Sequence, residues 1–238
     1  MSDKFINLLG YNIFKNDIND LMQYINNFNK INIISGNPDI LYSGLKKPEL
    51  YNSFTSENSL IIPDGIGTVL ASKIIKNPVR GKIAGIDLMK NILKECEKEN
   101  KGVYFLGASQ ENLDACVQNI SNELPKLNIV GFRNGYFNSE DEAEIVNDII
   151  SKEPYAVFIA LGCPKQENFI IKYMNKIPAT IFMGVGGSFD VIGEKTKRAP
   201  KWMIDLGLEW LYRTIKEPYR IKRLGSIPKF LLEVVKSK

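Results

Sequence analysis

The chain has 238 residues, 44% of them hydrophobic and 24% charged, with a formal net charge of +4 and no histidine at all. That is ordinary globular composition, long enough for a full core in one domain or one domain with a small appendage. The missing histidine excludes Ser-His-Asp and Cys-His nucleophiles and His-based metal sites, so acid–base work must come from Asp, Glu, Lys, Tyr or Cys.

Other classes fall away on pattern. No apolar run approaches the ~18 residues of a membrane span, and residues 1–14 lack a basic region followed by a long apolar core, so a cytoplasmic protein is expected. The three cysteines, Cys96, Cys116 and Cys163, are far apart and form no CxxC pair, which argues against disulfides and a zinc cluster.

In chain order, residues 5–9 read as a first strand or hairpin arm. Residues 17–28 carry Ile18, Leu21, Met22, Ile25 and Phe28 at helical spacing. A second strand, residues 31–34, ends at Ser35-Gly36-Asn37-Pro38, with Pro38 at a first helical position. Residues 39–54 read as a helix in two pieces broken near Pro48. The apolar run Leu60-Ile61-Ile62 is stopped by Pro63, and Asp64-Gly65-Ile66-Gly67 follows. Ile66, Val69, Leu70, Ile74 and Ile75 then repeat at helical spacing, and another helix runs over residues 86–97. From residue 102 onward strands (102–106, 127–130, 156–161, 179–183) alternate with helices. The pattern predicts an α/β fold with a mainly parallel sheet and helices on both faces. Residues 131–137 (GFRNGYF) read as a glycine-rich aromatic loop. The expected division is a catalytic domain over 1–195 and an appendage over 196–238.

That appendage has no strand pattern. Residues 195–238 hold eight Lys and four Arg against Asp205, Glu209, Glu217 and Glu233, interleaved with Trp202, Trp210, Phe230 and aliphatics. Amphipathic helices broken at Pro218 and Pro228 are expected, serving either as a packed cap or as a segment for anionic membranes. The positive excess implies an anionic partner: phosphate, nucleic acid or a membrane surface.

Asp64 sits where a buried strand gives way to a helix, the edge at which open α/β sheets bind ligands. Asp there can be a helix cap or a general base, and the local pattern does not separate the two. Three strands end in glycine-rich polar loops: Gly107-Ala108-Ser109, residues 162–167 and residues 184–190. Such loops suit either phosphate contact or close helix–sheet packing. Together they point to a nucleotide-type ligand. No Asp-x-Asp pair stands at a strand end, so a carboxylate-held Mg²⁺ is not expected.

These pieces also occur together in a recognisable order. SGNPDIL, PDGIGTVLASKI, RGKIAGIDLM, VYFLGAS, IVGFRNGYF, ALGCPKQE, MGVGGSFD, KRAPKWM and GLEWLYRTIKEPYRIKRL run from about residue 35 to residue 224. The set resembles the WecG/TagA/CpsF glycosyltransferase family. The resemblance implies a Rossmann-like fold with a C-terminal helical appendage. It also implies metal-independent, inverting transfer of a sugar, N-acetylmannosamine in the best-known members, from a UDP donor to an undecaprenyl-diphosphate-linked sugar, as in wall teichoic acid assembly. Other members use other UDP-sugars for exopolysaccharide. On this resemblance Asp64 matches the general base, and Ser35 keeps a hydroxyl where Thr is common. Asn37 and Gln166 match polar pocket residues, and Tyr136, Gly186, Gly187 and Asp190 match the uridine region. Arg213, Arg220 and Arg223 match arginines that clamp the diphosphate. It favours a peripheral position on the inner face of the cell membrane, with no cofactor, metal or nucleic-acid partner. A homodimer would be ordinary. A Rossmann-type oxidoreductase or epimerase is disfavoured by the missing GxGxxG. A non-catalytic membrane-docking protein is the other reading.

Overall fold

The computed structural model describes residues 4–216 and 225–237, without the side chains of Asp205 and Arg213. Eight strands are hydrogen-bonded in the order β1-β2-β4-β3-β8-β7-β5-β6. They are β1 (Phe5–Leu8), β2 (Tyr11–Phe14), β3 (Ile31–Ser35), β4 (Ser59–Ile62), β5 (Val103–Gly107), β6 (Ile129–Arg133), β7 (Ala156–Ala160) and β8 (Ile181–Gly184). The sheet is mostly parallel, with β2–β4, β3–β8, β5–β6, β5–β7 and β7–β8 parallel and the β1–β2 hairpin antiparallel, and helices connect the strands, which is the Rossmann-like α/β architecture expected.

Two units partition the chain. The first comprises the described parts of Met1–Leu21, Ile34–Ala84 and Lys197–Lys238. It opens with the hairpin, registered Phe5 to Phe14 and Leu8 to Tyr11. Leu9 and Gly10 turn it with φ of 57° and 84°, the two positive values that a two-residue type I′ turn requires. The second arm is absent from the sequence reading because Leu-Gly is not a strong hairpin signal. β2 then pairs with β4 in parallel. The Tyr11 ring is fully buried and its hydroxyl donates to the Leu41 carbonyl at 3.0 Å, so burial pushes the phenol far above its usual pKa.

Helix α2 (Pro38–Lys46) and α3 (Pro48–Phe54) confirm the break at Pro48. Helix α4 (Ile66–Ile74) forms where the helical spacing predicts it, but its large apolar residues do not make its buried face. The buried face is Gly67, Thr68, Ala71 and Ser72, and Leu70 is 42% exposed. Small residues face inward because α4 lies tight against the start of α2: the Thr68 hydroxyl donates to the Gly36 carbonyl at 2.5 Å, and a methyl on Gly67 would collide with the Pro38 ring. In the C-terminal part, α10 (Lys201–Asp205), α11 (Glu209–Lys216) and α12 (Ser226–Lys236) follow. Helix α12 packs on α2 and α4 with Phe230 and Val234 fully buried.

The second unit comprises Met22–Ile33 and Gly85–Thr196. Its strands β8, β7, β5 and β6 are all parallel. Alternation along β5 splits two cores, as the period of two demands. Tyr104 and Leu106 join Ile145, Ile149, Phe169 and Phe182 on one face, beneath α7 (Glu142–Lys152) and α8 (Lys165–Tyr173). Phe105 turns to the other face, stacked on Phe158 at 5.9 Å and edge-on to Phe189 at 5.6 Å. Helix α5 (Gly85–Lys98) precedes β5. Helices α6 (Gln110–Glu123) and α9 (Ser188–Ile192) pack on each other.

β6 also corrects an expectation. Residues 131–133, assigned to a loop, continue the strand, with Gly131 opposite Tyr104. A methyl there would stand 2.6 Å from the Tyr104 ring, so this glycine serves close packing and not a turn.

Phe230→Ala should cost about 3–5 kcal/mol, the range for a buried aromatic truncation. Gly36→Ala, whose methyl would meet the Ile62 carbonyl oxygen at 2.6 Å, should cost about 1–3 kcal/mol as overpacking. Urea denaturation reads both; a Phe230 loss under about 1 kcal/mol would show that α12 is outside the cooperative fold.

Candidate active site

In the first unit, two strand-end loops meet. β3 ends at the buried Ser35, and the Gly36 N–H donates to the Ile62 carbonyl of β4 at 2.9 Å. Asn37 is the N-cap of α2: its side-chain oxygen accepts from the N–H groups of Asp39 and Ile40, both at 3.1 Å, ahead of Pro38. Only its amide nitrogen is left for any ligand role.

Beside it, Asp64 follows β4. Its N–H folds back onto the Ile62 carbonyl at 2.9 Å. The N-cap of α4 is Gly65, at φ 90° and ψ 151°, so Asp64 stands one residue outside the cap position. A methyl on Gly65 would lie 3.7 Å from the Asn37 side chain. Asn37 and the Asp64-Gly65 turn are therefore neighbours, and the Asp64 carboxylate is half-buried at the carboxyl end of a parallel strand.

In the second unit, Gln166 is the organising residue. It is 2% exposed at the start of α8. Its amide nitrogen donates to Glu167 at 2.8 Å, and its oxygen accepts from the Gly186 N–H at 3.1 Å. Its side chain also fills the space over Gly184, where a methyl would stand 2.5 Å from the Gln166 nitrogen. Gln166 thus brackets the loop after β7 to the glycine loop after β8. Gly186, at φ 52°, and Gly162, at φ 75°, have open space where a side chain would be, which leaves their backbone approachable. Gly187 is the N-cap of α9.

Asp190 lies in the first turn of α9. Its carboxylate accepts from the Asn112 side chain at 2.6 Å, tying α9 to α6. Tyr136 is 82% exposed, yet its loop is fixed: the Gly135 N–H donates to the Ala108 carbonyl at 2.8 Å and Asn134 bonds Gln110 at 2.9 Å. An exposed aromatic ring on an anchored loop is a ready stacking surface.

Arg213 lies in α11, and Arg220 and Arg223 fall outside the described residues. Burial pushes the thiols of Cys96 and Cys116 up to about 12, which removes both as nucleophiles. Among the described residues, no group of three or more His, Cys, Asp or Glu side chains is placed to hold a metal ion, and no helix is long and apolar enough to cross a membrane.

Sequence reasoning missed three features. Asn112 had only its place after a Ser cap as a signal. Glu167 is 5% exposed beside Gln166, within a loop whose sequence pattern singles out only its glycine and polar character. The ion pair between Lys82 and Glu209, at 2.7 Å, joins residues too far apart in the chain for any local pattern to reveal.

Residues 6–238 match the glycosyl transferase WecG/TagA/CpsF family. A Bacillus subtilis (strain 168) protein called N-acetylglucosaminyldiphosphoundecaprenol N-acetyl-beta-D-mannosaminyltransferase is 40% identical over 200 residues, covering 84% of this chain and 77% of the relative. A Bacillus spizizenii protein of the same name is 38% identical, covering 86% and 78%. One from Staphylococcus aureus (strain MW2), again of that name, is 32% identical over 239 residues, covering 98% and 93%. With the family matched across nearly its whole length, the chain belongs to the WecG/TagA/CpsF glycosyltransferases.

Proposed function

We propose that this chain transfers N-acetylmannosamine from a UDP donor to undecaprenyl-diphosphate-linked N-acetylglucosamine, with inversion, in wall teichoic acid assembly. The relatives' shared name supports the sugar and the acceptor. The observation that carries the chemistry is Asp64, a half-buried carboxylate at a strand end, displaced from the N-cap by Gly65. With no histidine in the chain, a carboxylate is the fitting base.

In this reading Asp64 takes the proton from the acceptor hydroxyl as that oxygen attacks the anomeric carbon of the donor. The bond from that carbon to the UDP oxygen breaks, and UDP leaves with the electron pair. Arg213, Arg220 and Arg223 hold the diphosphate through their planar forks, so fixed positive charge does the work without a metal. The approachable backbone at Gly186, the α9 N-cap Gly187 and the exposed Tyr136 ring suit a nucleoside. Asp190 supports this region through Asn112, and Gln166 holds its loops in place. Ser35 and the amide nitrogen of Asn37 serve the acceptor side.

The same reading places the protein on the inner face of the cell membrane. Trp202, Leu206 and Ile215 are 60%, 63% and 66% exposed on α10, α11 and their connection, interleaved with Lys197, Lys201 and Lys216. Exposed aromatics among cations are the pattern of an interfacial segment.

Asp64→Asn should lower kcat by about 10²–10⁴ while UDP affinity stays within about twofold. UDP release from UDP-N-acetylmannosamine and a short-chain lipid-diphosphate N-acetylglucosamine, with EDTA present, reads it; undiminished turnover would remove Asp64 from the chemistry. Gln166→Leu strips a partner from the Gly186 N–H and from Glu167, so it should cost about 1–3 kcal/mol in thermal unfolding and raise KM for the donor. Replacing Trp202 and Trp210 by Ala should weaken co-sedimentation with anionic vesicles by roughly tenfold or more, given the apolar area each Trp buries; equal sedimentation would refute the membrane assignment.

A further inference from the structure

The C-terminal segment carries one feature that the transfer reaction does not use. Glu209, the first residue of α11, is 9% exposed. Its Oε2 accepts from the Lys82 ammonium at 2.7 Å, with only 18% and 12% of the two side chains exposed. The Arg198 guanidinium stands on its other oxygen at 3.8 Å. Exposed ion pairs contribute little, but a pair this enclosed behaves differently: losing one partner leaves a buried charge uncompensated.

The geometry around the pair leads back to Asp64. Lys82 is followed by Ile83, whose N–H donates to the Pro63 carbonyl at 3.0 Å, so Lys82 is fixed beside the Asp64 turn by backbone. Two residues before Glu209, Gly207 adopts φ 72°, and a methyl there would meet the Ile66 side chain at 2.9 Å. Ile66 opens the helix two residues past Asp64. On the other flank, Ile227 of α12 is 3.7 Å from where a methyl on Gly67 would be. The C-terminal segment therefore touches the Asp64 turn through Gly207 and its following helix through Ile227. Glu209 is the charged anchor between them. Arg213 stands four residues on in the same helix, one turn from that anchor.

We propose that Glu209 is a positioning residue: paired with Lys82 and Arg198, it fixes the start of α11 against the Asp64 turn and so sets the place of Arg213. The docking stands on the contacts above. Its consequence for turnover rests on the reading of Arg213 as a diphosphate ligand.

The test uses the full-length protein and two independent readouts. The first is the rate of native-state cleavage by chymotrypsin in residues 202–212, whose sites every variant keeps. Glu209→Gln and Lys82→Met should each speed cleavage about tenfold, the double variant should be no faster than either single, and Lys82→Arg should stay near wild type. Single-variant rates within about twofold of wild type, or an additive double variant, would overturn the docking. The second readout is kinetic. Glu209→Gln should raise KM for the UDP-sugar about tenfold with a smaller change in kcat, the opposite split from Asp64→Asn. Faster cleavage with an unchanged KM would overturn the positioning of Arg213. A protein with no transferase activity at all would refute the proposed function, and the cleavage rates would still decide the docking.

Discussion

The close approach of two strand-end loops, bound backbone to backbone, is the constraint on which the Asp64 end of the first unit depends. The Gly36 N–H bonds to the end of β4, and the Gly36 carbonyl accepts from Thr68 in α4. Both contacts require that no side chain stand at residue 36 or residue 67. Once α2 and α4 begin this close together, the chain leaving β4 has one short path between them. That path is Pro63-Asp64-Gly65. Gly65, at φ 90°, makes a turn that other residues adopt only with strain, and it takes the cap position that an Asp would otherwise fill. The carboxylate is held at the strand end, one residue outside the cap position.

The second unit solves a similar problem with a side chain. Its loops after β7 and β8 are glycine-rich and would be poorly ordered alone. Gln166, just past the β7 loop, accepts from the Gly186 N–H of the β8 loop while its amide nitrogen is held by the neighbouring Glu167, at 2% exposure, where each hydrogen bond is strengthened by the absence of competing water. Asn112 does the same for Asp190. In these two cases the polar residue nearest a glycine loop braces the loop, and the open surface above Gly162 and Gly186 belongs to the backbone.

The strand–helix alternation from residue 102 was legible because parallel strands are covered on both faces. VYFL and AVFIA read as unbroken apolar runs. The hairpin's second arm was not, since Tyr11-Asn12-Ile13-Phe14 is short and its turn lacks Asn-Gly. The inward face of α4 does not follow its apolar spacing, for a reason general to tight packing. Where helices approach closely, Gly, Thr, Ala and Ser face inward and the large residues are pushed outward, against the usual rule. At the site, the strand-to-helix junction marks Asp64 as a candidate, though the local pattern alone does not separate a base from a cap. The brace made by Gln166 was not legible, because its partner Gly186 is twenty residues away. The Lys82–Glu209 pair lies further still beyond any local signal.

The packed-cap reading of the basic amphipathic tail fits one of its helices, and the membrane reading is proposed for the other two. Helix α12 buries Phe230 and Val234 completely against α2 and α4, and a stretch so buried belongs to the core. Helices α10 and α11 invert the usual partition: Glu209 is enclosed with two cations, while Trp202, Leu206 and Ile215 face outward. Enclosing an ion pair saves little, because desolvation offsets most of the attraction. Leaving large apolar residues in water forgoes roughly 1.5–3 kcal/mol for each side chain that could be buried. Neither half of that arrangement is favoured by stability in water. It becomes reasonable if the inner contact must fix a position and the outer one meets an apolar phase, which is the division of labour proposed for Glu209 and for the exposed tryptophan.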